Sequence, residues 1–303
     1  MMDPTLLWIP ATLVASAGQV ARNTMQRRLT ETIGTVGATQ VRFLYGLPFA
    51  LLFLGGMLVA TGEALPRPGP GFAPFILLGA VSQIVATGLM LAAMRQRAFS
   101  VVTALLKTEA VQIAVFGLVV LGDRLSVLAT AAILLATVGV FLVTWSPRTA
   151  GDVRTGGAMP VALGLAAGAL FALSAVGFRG AILNLESGSP FLRATTALAW
   201  SLALQTGILT AWLVVADREA LMGSFREWRS SLAAGFLGAA SSQFWFIGFA
   251  LTAAANVRTL ALVEVVMAQA VSRRVFAQST SGREVIGMGL IVLGVLGILG
   301  SAG

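Results

Sequence analysis

Apolar runs of about 20 residues recur along the whole chain, and a helix of that length crosses the roughly 30 Å hydrocarbon layer while satisfying its own backbone hydrogen bonds. Ten such runs can be placed, at 5–25, 37–60, 72–94, 98–121, 125–145, 157–181, 190–216, 229–252, 256–277 and 282–302. Each is continuously apolar, whereas the strands of a membrane barrel alternate over about ten residues. The expected fold class is therefore an all-α integral membrane protein with ten transmembrane helices. Composition agrees: 57% of residues are hydrophobic and 11% charged, against roughly 25% charged in a soluble domain. The first run follows Met1-Met2-Asp3 without a basic start, so it is read as a retained span rather than a cleaved signal.

A net charge of +8 would point to nucleic acid in a soluble protein, but here its distribution reports topology. With the N-terminus outside, Arg22, Arg27, Arg28, Arg42, Arg95 and most other arginines fall in or beside inner loops. Arg67, Arg124, Arg179, Arg193 and Arg258 fall outside. Short loops obey the positive-inside bias, so both termini are expected on the non-cytoplasmic face of the membrane. The expected partners are the lipid bilayer and a small solute, with no nucleic acid. Neither His nor Cys occurs. There is thus no imidazole base, thiolate or ordinary zinc cage, and no Gly-Lys-Ser/Thr phosphate loop, so no catalytic residues, cofactors or metal sites are expected.

Two stretches of the chain repeat. Leu78-Gly79-Ala80-Val81-Ser82-Gln83 resembles Leu237-Gly238-Ala239-Ala240-Ser241-Ser242-Gln243; Gln83 and Gln243 are offset by 160 positions, as are Gly88 and Gly248. Leu105 to Glu109 matches Leu260 to Glu264 at an offset of 155, which Gly139 and Gly294 share. Leu192-Arg193 stands where Val41-Arg42 does. The chain divides into five-helix repeats at 1–148 and 149–303, and an odd number of spans per copy makes the repeats inverted. One unit folded in two slightly different ways supports alternating access around a midplane site.

Ionisable groups inside a span cost about 2.5–3.5 kcal/mol on insertion scales and are functional by default. Lys107 and Glu109 lie in the fourth span, pointing about 160° apart if it is a regular helix, and Glu264 is the repeat equivalent of Glu109. Lys107 is a candidate for a solute carboxylate, and either Glu for an ammonium group or a proton; a structural ion pair between halves is the alternative. Gln83, Gln243 and Ser242 can line a wet pathway or bond helices together. Gln19 is a weaker case of the same kind, and Trp245 can stack on cargo. Small residues at spacing four, Gly164-Gly168-Ala172 and Ala234-Gly238-Ser242, permit close helix approach. The Gly-rich last helix, from Gly287 to Gly300, suggests a seam between halves or a homodimer.

Leu105 to Thr144, with Leu121-Gly122-Asp123-Arg124-Leu125-Ser126, and Leu260 to Gly300 resemble the drug/metabolite transporter superfamily, specifically its EamA-type members. At the second hinge Gln278 replaces the acidic residue that Asp123 supplies at the first. The resemblance implies a secondary transporter of small organic metabolites. Its amino-acid exporters, including those of aromatic amino acids of the YddG kind, are the nearest functional comparison. Carriers of other cargo, such as drugs or nucleotide-sugars, and a channel or receptor without alternating access, are the alternatives.

Overall fold

The computed structural model describes residues 4–96, 102, 105–123, 125–144, 159–263 and 282–301. They form eleven α-helices: α1 (Trp8–Leu44), α2 (Gly46–Thr61), α3 (Phe72–Gln96), α4 (Glu109–Phe116), α5 (Val127–Thr144), α6 (Met159–Leu183), α7 (Pro190–Ala216), α8 (Arg218–Arg226), α9 (Trp228–Leu251), α10 (Ala254–Leu260) and α11 (Gly282–Ser301). A π-helical turn, Gly117–Leu121, continues α4. Five helical stretches are long and apolar enough to cross a membrane: Trp8–Thr61, Phe72–Gln96, Met159–Leu183, Pro190–Ala216 and Trp228–Leu251. Glu109–Leu121, Val127–Leu142 and Val285–Ile298 are shorter and apolar. The boundary between the expected repeats, 148/149, and most of the ninth expected span lie outside the described residues.

The first stretch holds 54 residues, about 80 Å if straight, far more than one bilayer. Gly34 divides it, with φ 70° and ψ 177° inside α1. Only glycine enters that region cheaply. The chain doubles back there: the Gln26 side-chain amide donates to the Ala38 carbonyl at 3.0 Å, although a continuous helix would hold those residues about 18 Å apart. The sequence expectation of a loop over 26–36 is thus corrected to helix up to a single-residue turn.

The fourth span is not one regular helix either. Lys107 and Thr108 form a turn before α4, and Thr108 N–H bonds back three residues to Leu105 at 3.3 Å. The 160° separation expected of Lys107 and Glu109 assumed a regular helix, so it does not apply. A second interruption occurs at Ala261 and Leu262, after α10. Under the offset of 155 the two breaks agree to within one residue.

The most extensive helix contacts join α3 to α6, α5 to α11 and α1 to α9. All three are close because glycines face backbone. A Cβ on Gly177 would lie 2.6 Å from the Gly79 nitrogen, and one on Gly139 2.6 Å from the Gly287 carbonyl oxygen. A Cβ on Gly235 would lie 2.6 Å from the Tyr45 carbonyl carbon. Gly164 and Gly168 rest on Leu105 and Thr108. Van der Waals fit of this kind replaces the hydrophobic effect as the glue between helices in lipid.

Large apolar side chains point outward, among them Leu52, Val59, Val127, Val138, Val215 and Leu293. In water such a surface would associate; in a bilayer it is solvated. At one end of the bundle the loops after α2 and α6 are tied together: Pro68 and Leu185 form an antiparallel bridge, and the Glu63 carboxylate accepts from Ser189 N–H at 2.7 Å.

Candidate functional site

The α1–α9 seam carries polar and charged groups into the interior. Gln19 accepts from the Trp245 indole N–H at 3.1 Å, and Trp245 is buried. The Arg258 guanidinium lies 4.2 Å from the centre of the Trp245 ring and 5.6 Å from that of Phe249. Its Nε is 2.9 Å from a Glu109 carboxylate oxygen, with both side chains about a tenth exposed. One chain of contacts, Gln19–Trp245–Arg258–Glu109, thereby links α1, α9, α10 and α4.

Two further arginines adjoin it. Arg22 and Arg42 are 2% and 4% exposed. A Cβ on Gly238 would lie 3.3 Å from Cγ of Arg42 and 3.5 Å from Cδ of Arg22, so the missing side chain admits both stems against α9. Arg22 donates through Nε and Nη2 to the Asn23 side-chain oxygen at 3.2 and 2.8 Å. Arg42 donates through Nη1 to the Thr87 hydroxyl at 3.2 Å, and its guanidinium lies 5.3 Å from the centre of the Phe43 ring. Read from sequence, Arg22 and Arg42 flank inner loops and Arg258 lies outside; the first two are interior instead. The turn at Gly34 is the reason, since it draws residues 26–33 into the helix and leaves both arginines within the bundle.

Of the expected site residues, Gln19, Trp245 and Glu109 are brought together, by an arginine that sequence reasoning assigned to the exterior. Gln83 and Gln243 instead reach α7: Gln205 donates to Gln83 at 2.8 Å, and Gln243 donates to the Thr195 hydroxyl at 2.8 Å. Ser242 is buried on α9. Lys107 stands at the break before α4, half-buried. Glu264 lies outside the described residues. The signal that could have found Arg22, Arg42 and Arg258 was the cost of a guanidinium within a few residues of an apolar run; the charge-bias count absorbed them first.

A second charged constellation ties the linked-loop end. Arg179 on α6 forms a two-point pair with Asp123, at 3.1 and 3.4 Å. Its Nη1 donates to the Phe249 and Thr252 carbonyls at 2.7 and 2.5 Å. One side chain thus clamps α6, the corner before α5 and the end of α9. Asp123→Asn should loosen that end: with no cysteine in the chain, a single Thr252→Cys reporter should react severalfold faster with a maleimide when Asp123 is Asn. An unchanged labelling rate would show that the two carbonyls hold Arg179 by themselves. At the opposite end a cleft of about 400 Å³ is lined by Thr32, Ile33, Asp217, Glu219, Arg226 and neighbouring residues, and does not include Arg22, Arg42 or Arg258.

Comparison with known proteins adds the following. The EamA-like transporter family matches over residues 6–145. A solved crystal structure described only as "Crystal structure of protein" is similar over 98% of this chain and 98% of its own, with a TM-score of 0.65 and 15% sequence identity. At that identity the likeness bears on the fold alone. No curated protein matches.

Proposed function

We propose that the chain, whose residues 6–145 match the EamA-like transporter family, is a secondary carrier moving small organic metabolites, amino acids foremost, across the cytoplasmic membrane by alternating access. The family match and the apolar helices support a multi-pass membrane transporter of small solutes; cargo and mechanism are our reading. The observation that carries it is the buried polar seam, where residues of the first half (Gln19, Arg22, Arg42, Glu109) meet those of the second (Trp245, Arg258).

The packing supports two inverted five-helix repeats. Exchanging α1 with α6 and α3 with α9, as the repeat offsets require, turns the α3–α6 contact into the α9–α1 contact, and the α5–α11 contact maps onto itself. The paired interruptions at Lys107–Thr108 and Ala261–Leu262 fit the discontinuous helices found around midplane sites in such carriers. Two halves that share a site but repack against each other can expose it alternately to either side.

Purified protein in proteoliposomes should exchange radiolabelled amino acids with saturable kinetics, and unlabelled cargo on the far side should drive counterflow. Linear, unsaturable conductance would identify a pore instead. Running the panel with and without a pH gradient separates proton-linked from passive exchange.

A further inference from the structure

Helix α8 is too short to cross a membrane: its nine residues extend about 13 Å. It joins the ends of α7 and α9, both long and apolar enough to span, and so lies at the end of the bundle. One side of it is fixed to α1. Ala220, Leu221 and Ser224 are buried. A Cβ on Gly37 would lie 3.3 Å from the Ala220 carbonyl oxygen, and one on Gly223 2.9 Å from Cγ2 of Ile33. Ile33 and Gly37 flank the turn at Gly34, so α8 is seated on that turn. The Ser224 carbonyl also accepts from the Tyr45 hydroxyl at 3.1 Å.

The other side is apolar and exposed. Arg218, Met222 and Phe225 share a face, at spacings of four and three. Met222, Phe225 and, at the start of α9, Trp228 are half-exposed, and from Trp228 the exposed row runs along α9 through Leu232 and Phe236. Spacing of four on a spanning helix marks the side turned to lipid, and this row passes onto α8 without a break. Trp212, near the end of α7, is exposed as well; with Trp228 it gives the aromatic belt expected where hydrocarbon meets headgroups. Cations border the same row. Arg218 and Arg229 are exposed and form no ion pair with a carboxylate among the described residues; Arg229 lies over the Trp228 ring at 5.4 Å. The neighbouring acids are directed elsewhere: Asp217 accepts from Ala220 N–H at 3.0 Å, while Glu219 and Glu227 line the cleft with Arg226.

We propose that α8 is an interfacial helix that docks anionic phospholipid: Met222, Phe225 and Trp228 enter the boundary of the acyl layer, and Arg218 and Arg229 take the phosphates of headgroups with net negative charge, such as phosphatidylglycerol. Apolar area holds such a helix in the interface, and its cations select the headgroup. A guanidinium fork matches two phosphate oxygens, whereas a choline headgroup brings a cation of its own against the arginines. Because α8 is seated on the Gly34 turn, lipid held there stabilises the fold from that end. Docking of this kind depends on the membrane and not on the cargo.

The chain has no cysteine, so single labels can be placed on the full-length protein. Met222→Cys and, as a control on the cleft side, Glu219→Cys are labelled with the fluorophore NBD in nanodiscs of phosphatidylcholine and phosphatidylglycerol. Lipid carrying a nitroxide near the headgroup should quench the Met222→Cys label severalfold more strongly than the control, and aqueous iodide should do the reverse. In detergent micelles, added phosphatidylglycerol should raise the melting temperature of wild type by a few degrees through mass action; phosphatidylcholine and glycerol 3-phosphate should not. Arg218→Gln combined with Arg229→Gln should lose most of the rise, and both side chains are exposed, so the core of that variant is untouched. A Met222→Cys label that iodide reaches as readily as the control puts α8 in water, and one that neither quencher reaches has a second copy of the chain over it; either result overturns the docking. So does an equal rise with phosphatidylcholine, a rise with glycerol 3-phosphate, a full rise in the double variant, or no rise with phosphatidylglycerol.

Discussion

Gly177→Leu should abolish recovery of folded protein, while Gly207→Leu, another glycine-to-leucine change within a long helix, should leave yield and melting temperature intact or raised. At Gly177 the first carbon of any side chain would lie 2.6 Å from the Gly79 nitrogen, 2.9 Å from its Cα and 3.0 Å from the Phe75 carbonyl oxygen. These are backbone atoms of α3, unable to move without moving the helix. Overpacking of a tight site by ordinary increments costs about 1–3 kcal/mol, so Gly177→Ala alone should lower the melting temperature measurably. Leucine demands that α3 and α6 part along one of the most extensive contacts in the bundle. A Cβ on Gly207 meets nothing within 4 Å, and leaving glycine improves helix propensity by about 0.5–1 kcal/mol. Monodisperse yield by size-exclusion chromatography in detergent separates the cases. Equal behaviour of the two variants would mean that the α3–α6 contact is not made in the membrane.

That pair also shows what could be read from one sequence. Glycines at spacing four told of close packing but not of what they pack on: Gly168 meets Thr108, and Gly238 meets two arginines. Pairing across the bundle is a tertiary choice that no local pattern carries. The Gly-rich last helix was readable as a seam of either kind, and Gly294 and Gly297 lie against Ala132 on α5. The five long apolar helical stretches were legible because length and hydrophobicity fix them. The turn at Gly34 was not, since a polar stretch such as Arg27-Arg28-Leu29-Thr30-Glu31 looks like a loop whether or not it is helical. From that one misreading followed the larger one about the site: Arg22 and Arg42 looked like loop-flanking charges, and only their burial shows a cationic interior. Glu109, Gln19 and Trp245 were legible as polar or aromatic groups in spans, yet Arg258, which joins them, was counted with the exterior.

Removing Arg258 should therefore have the largest effect of any polar substitution in the seam. Arg258→Met takes a counter-charge from Glu109 at 2.9 Å and the cation from the face of Trp245 at 4.2 Å. Breaking a buried pair on one side costs about 3–5 kcal/mol, because the remaining charge stays desolvated. The lost ring contact adds about 0.5–2 kcal/mol. The single variant should melt several degrees below wild type and carry no measurable solute flux. Arg258→Met combined with Glu109→Gln should regain most of the melting temperature, since neither charge is then buried unmatched, and the recovery measures the coupling between α4 and α10. Flux should not return with it: the double variant keeps the packing of the bundle but no longer joins α4 to α10 by charge in the proposed pathway. A double variant no more stable than the single one would place the energetic role of Arg258 in its stacking between Trp245 and Phe249, and a double variant with wild-type flux would exclude the pair from transport.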